Sequence, residues 1–204
     1  MKYCLFIITI LVFSLISCSH KNVKTNIGSQ NHSQHLTDSL SIDDYTFPKD
    51  WLGYWSGELK IYDSNGLKQK VSMSLDLAKT DNLGIYTWAI MYGSDSTAQR
   101  REYELKEIDP SKGHYLIDEK NGILLDAYHI HNELISVFEV MGNSLITSYA
   151  IKNQELIFSV KMFPSKEIRV SGDTIILNQE IPKVNSYQMK ISQVARLQKK
   201  CLVE

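Results

Sequence analysis

Residues 53–77 read Gly-Tyr-Trp-Ser-Gly-Glu-Leu-Lys-Ile-Tyr-Asp-Ser-Asn-Gly-Leu-Lys-Gln-Lys-Val-Ser-Met-Ser-Leu-Asp-Leu. Trp55, Gly57, Leu59 and Ile61 alternate with polar positions. Val71, Met73, Leu75 and Leu77 then alternate with Ser72, Ser74 and Asp76. Successive side chains of a strand point to opposite faces, so a period of two marks a strand buried on one side. Between the runs stands Asp63-Ser64-Asn65-Gly66, the composition of a tight type I′ hairpin turn. Two antiparallel strands with a shared apolar face are therefore expected here.

The same pattern continues in both directions along the chain. Residues 85–92 are apolar on both faces, and Arg101, Tyr103 and Leu105 alternate with Glu102, Glu104 and Lys106 until Asp109-Pro110. Strands are expected at 114–118, 123–130, 134–140, 145–151 and 156–162, separated by Gly and Asn turns. Residues 163–185 are less regular, with Pro164, Gly172 and Pro182; a last strand is expected over 187–197, with Tyr187, Met189 and Ile191 on one parity. No long segment has a 3.6 period. The expected fold is all-β: an antiparallel up-and-down meander of about nine to ten strands, closed into a barrel because closure removes the two exposed edges.

Gly53-Tyr54-Trp55 followed by Gly57 resembles the Gly-x-Trp signature that opens the first strand of lipocalins and related calycin barrels. The resemblance implies that the Trp plugs the closed end of the barrel and that a basic residue of the last strand packs across it, with Arg196 and Lys190 as the candidates. The Thr-Asp-Tyr motif of lipocalins is missing, and Ser148-Tyr149 is at most a remnant of it. A nitrobindin-like haem barrel opens similarly, but no His lies in the closing strand to ligate iron, so no cofactor is assigned.

The chain of 204 residues begins with Met1-Lys2 and an apolar run over 5–16 that holds only the hydroxyls Thr9 and Ser14. As a helix that run reaches ~18 Å against roughly 30 Å of hydrocarbon, the size of a signal h-region rather than a membrane span. Leu15-Ile16-Ser17-Cys18 resembles the lipobox of bacterial lipoproteins. The resemblance implies cleavage before Cys18, acylation of its sulfur and amine, and stable anchoring in a bilayer. Ser19 is not the aspartate associated with inner-membrane retention, which points to the outer membrane of a Gram-negative cell envelope.

The expected organisation is a signal peptide at 1–17, a lipidated N-terminus and flexible tether at 18–46, a lipocalin-like barrel at 47–200, and a tail at 201–204. The tether is rich in Ser, Asn, Gln, His, Thr and Lys. His20, His32 and His35 are irregularly spaced within it and read as polar linker residues. Loss of Lys2 with the signal leaves 21 basic against 23 acidic residues, so the mature chain carries −2. That balance excludes the basic footprint of a nucleic-acid binder. Cys4, Cys18 and Cys201 make neither a disulfide scaffold nor a metal cluster.

The inward set expected from parity is Trp55, Leu59, Met73, Leu75, Tyr103, Tyr115, Leu125, Phe138, Tyr149, Phe158, Met189 and Ile191. The residues assigned to ligand contact are Trp55, Tyr103, Tyr115, Phe138, Tyr149, Phe158 and Met189, with Arg101 at the barrel mouth facing an anionic head group. His129 and His131 share a strand face at a chelating spacing, but beside the turn at Asn132 they read as exposed polar residues, and no metal is assigned. Asp118, Glu119 and Asp126 flank one hairpin; Asp126 is a candidate acid only if its face, shared with Leu124 and Tyr128, is interior. No nucleophile elbow, phosphate loop or zinc-protease helix occurs. The chain therefore reads as a non-catalytic envelope lipoprotein that binds or carries a small hydrophobic ligand. Its alternative is a structural or interaction lipoprotein with a solid barrel core, whose partners are other envelope proteins.

Overall fold

The computed structural model describes residues 45–93 and 99–200. The expected signal peptide, Cys18, the expected tether up to residue 44 with its three histidines, and the tail with Cys201 lie outside the described residues.

Nine strands follow one another up and down: β1 (Gly53–Asp63), β2 (Gly66–Lys79), β3 (Ile85–Tyr92), β4 (Gln99–Asp109), β5 (His114–Asp118), β6 (Leu124–Ile130), β7 (Glu133–Val140), β8 (Asn143–Lys152) and β9 (Glu155–Pro164). The irregular stretch then forms two small ribbons. In one, β10 (Arg169–Ser171) pairs with β13 (Val184–Ser186); in the other, β11 (Thr174–Ile176) pairs with β12 (Gln179–Ile181). The final strand β14 (Ile191–Lys199) pairs with β9 on one side and β1 on the other, so ten antiparallel strands close into a barrel. The register at the seam runs from Trp55 opposite Lys199 to Tyr62 opposite Ser192. Closure leaves no barrel edge strand unpaired.

Alternation decides the inside. Leu59, Leu75, Leu77, Trp88, Leu105, Leu134, Leu156 and Leu197 project inward and are buried. Each such large apolar side chain contributes roughly 1.5–3 kcal/mol on leaving water. One pole of the barrel is covered by the incoming chain, where a 3₁₀ turn at Lys49–Trp51 drives Trp51 into the interior. The other pole carries the hairpin loops after β1, β5 and β7 and the ribbons between β9 and β14.

Two local expectations are corrected. Positive φ occurs at Gly66 (107°) and not at Ser64 or Asn65, so the first hairpin is not type I′. Asp63 Oδ1 accepts the Asn65 amide at 2.7 Å, an Asx turn that competes with the mirror-image turn, and β2 absorbs the difference as a register shift beside Ile61 and Tyr62. The last strand begins at Ile191 rather than at residue 187. Met189 therefore precedes the strand and is 51 % exposed instead of lining the interior.

Candidate functional site

The barrel interior divides into a buried base and a half-buried mouth. At the base, the Phe47 ring meets Trp51 and Tyr115 edge-on and stacks on His129, each with centroids 4.8 Å apart. The Trp55 indole N–H donates to the Trp51 carbonyl at 2.8 Å, tying the plug to the first strand. Lys199 Nζ lies 5.3 Å from the centre of the Trp55 ring. Neither Arg196 nor Lys190 takes that position. Arg196 projects outward and pairs with Glu155 at 3.0 Å, and Lys190 precedes β14. Gly53 leaves room for the crossing, since a Cβ there would stand 2.7 Å from Lys199 Cε. Trp55 and Tyr115 are therefore packed into the floor, along with His129, whose imidazole is held below its ordinary titration range by burial.

Higher up, Tyr149 packs edge-on to Trp88 at 4.9 Å and against Phe158 at 4.9 Å. The Trp88 N–H is buried in this layer, beside Tyr149. Above this layer the inward positions change character. Tyr92, Arg101, Tyr103, Leu125, Phe138, Met162 and Gln193 project inward by register yet are only half-buried, so each keeps part of its surface toward this pole.

The mouth is polar on one side and apolar on the other. From β3 and β4 come Tyr92, Arg101 and Tyr103, with the Arg101 guanidinium 5.1 Å from the Tyr92 ring centre. Glu119, just past β5, is 8 % exposed, and its carboxylate accepts from Asn121 at 3.2 Å. Burial raises the Glu119 carboxyl above its usual range, opposed by the Asn121 hydrogen bond, the Arg101 charge and the Tyr103 hydroxyl. Burial pushes the Tyr92 hydroxyl up to about 12, against the lowering pull of Arg101. Tyr103 is raised by burial and by the Glu119 charge, and Tyr149 is raised strongly by burial. These phenols stay protonated at physiological pH, so each has a proton to donate. Opposite them, Phe138, Met162 and Ile191 line an apolar wall.

Of the expected ligand contacts, Arg101, Tyr103 and Phe138 thus meet at the mouth, Tyr149 and Phe158 form the layer beneath it, and Trp55 and Tyr115 belong to the floor. Asp126 projects outward, where it meets His114 Nε2 at 2.7 Å, and the Leu124 and Tyr128 that share its face are exposed. The carboxylate drawn inward is Glu119, at the odd position continuing the Tyr115 and Ile117 parity. His131 sits in the turn after β6 with φ of 56°, so the two histidines do not share a strand face. Tyr92, Trp88 and Lys199 were not singled out from sequence; the first two lie in a run apolar on both faces, which hides parity. Among known proteins, no family model matches this chain and no curated sequence does.

Proposed function

We propose that the protein is a cell-envelope lipoprotein, anchored through an acylated Cys18, whose barrel mouth binds a small amphipathic molecule. The apolar body of the ligand lies against Phe138, Met162 and Ile191, and its anionic end faces Arg101 and the hydroxyls of Tyr92 and Tyr103. The observation that carries this reading is the half-burial of inward-pointing residues above a fully packed base, with an arginine among them. Apolar pockets that contain a few convergent polar groups are the usual form of a small-molecule site. Support for the calycin-like reading comes from Lys199 across Trp55, the cation and indole pair that the Gly-x-Trp resemblance implies.

The test is mass spectrometry of solvent extracts from protein purified out of its native envelope, alongside metabolic labelling with palmitate. A stoichiometric amphiphile in the extract and label lost in Cys18→Ser support the reading. An extract without ligand argues instead for an interaction lipoprotein, a reading that draws on the solid base of the barrel.

A further inference from the structure

On the outer surface of the barrel, one cross-strand row runs over four neighbouring strands. Gln198 of β14 pairs with Ser56 of β1, Ser56 with Ser74 of β2, and Ser74 with Met91 of β3. The two short side chains at the centre and the long ones at the ends hollow the sheet surface. Tyr54 and Lys200, joined by a backbone hydrogen bond of 2.8 Å, wall one side, and Arg196 and Ser72 wall the other. The result is a groove of about 540 Å³.

Its chemistry is one-sided. Hydroxyls from Tyr54, Ser56, Ser72 and Ser74, one amide and two cations line it, and none of the described lining residues is a carboxylate. Two acids stand in the rows that wall it, Glu58 between Arg196 and Ser72 and Asp76 opposite Tyr54, and each is paired with a cation outside the lining, Glu58 with Lys70 and Asp76 with Arg100, both at 3.3 Å. Arg196 pairs with Glu155 at 3.0 Å, and its side chain is 70 % exposed and lines the groove. Ser74 provides an independent sign. It is 4 % exposed, and its hydroxyl finds no hydrogen-bond partner among the described residues. Buried hydroxyls are almost always paired, so an orphan on a groove floor marks a place where another molecule supplies the partner.

We propose that this groove binds a phosphorylated polyol. The phosphate sits against Arg196 and Lys200, where charge-assisted hydrogen bonds are strongest. The polyol hydroxyls meet the serines and Tyr54. A bare anion leaves the row of hydroxyls unused, and a neutral sugar leaves both cations unused. The site lies outside the barrel and stands or falls independently of any ligand in the mouth.

The experiment uses the full chain with ¹³C-methyl methionine, reading the Met91 methyl signal, assigned by Met91→Leu. Glucose 6-phosphate and soluble dihexanoyl phosphatidylglycerol are titrated separately, with glucose and inorganic phosphate as controls. A saturable Met91 shift with either phosphorylated probe is expected, weakened about tenfold or more in the double variant Arg196→Gln/Lys200→Gln. Glucose and phosphate alone bind at least about tenfold more weakly. A response to the lipid probe only assigns a membrane headgroup, and a response to glucose 6-phosphate also admits a free sugar phosphate. No shift with either probe, or equal affinity in the double variant while the other methionine signals stay in place, overturns the proposal.

Discussion

Lys199 and Trp55 make opposite demands on the floor of the barrel. The indole is 3 % exposed and packed on several sides, whereas the lysine head remains at the surface. Trp55→Ala is expected to cost roughly 3–5 kcal/mol because a cavity opens in a layer that cannot collapse. Lys199→Ala is expected to cost only about 0.5–1 kcal/mol, the range of an exposed cation over a ring. Urea unfolding midpoints of the two variants measure the difference, and equal losses would contradict the division of roles. Glu119 presents a different case. Burial raises its carboxyl above the ordinary 4.5 in the folded chain. The folded state therefore holds a proton that the unfolded state has released, so stability falls as pH rises through the interval above 4.5. Glu119→Gln removes that dependence: the variant should gain stability relative to the parent as pH climbs toward neutrality and lose the advantage below pH 4.5. Unfolding curves over that range decide it, and a gap that shrinks with rising pH would be contrary.

Among the elements, the seam between β1 and β14 is the most constrained. A Cβ on Gly57 would collide with the Arg196 carbonyl oxygen, a backbone atom that cannot swing away. Gly57→Val should therefore force the closing strands apart and cost at least roughly 1–3 kcal/mol, read as a lowered thermal midpoint with loss of amide protection along β14. This seam also shows what was legible beforehand. Alternation over residues 53–77 and 101–105 sets strand parity because each strand buries one face, and the meander order follows from turns too short for crossovers. Turn type was less legible: Ser-Asn between strands suits two geometries, and the Asp63 side chain decided between them. Parity was lost where both faces are apolar, as at Trp88 and Tyr92, and where a strand starts late, as at Met189. The mouth itself was only partly readable. Arg101, Tyr103 and Phe138 are marked by alternation, while Glu119 lies past a strand end, where a carboxylate ordinarily meets water.

As a whole, the described chain is a closed barrel whose lower layers are buried and whose upper layer is half-buried and polar along one side. Phe47, Trp51, Trp55 and Tyr115 plug the base, so the proposed guest sits toward the ribbon-bearing pole, above the layer of Trp88, Tyr149 and Phe158. Such a cup suits a molecule short enough to remain in the upper half, with its charged end on the β3–β4 side. A fluorescent fatty-acid probe titrated into the full chain and into Arg101→Gln tests this most directly. Saturable binding at one site per chain is expected, weakened about tenfold by the loss of the charge and competed by unlabelled fatty acid. Failure of the parent chain to bind, or identical saturable binding by Arg101→Gln, would contradict it.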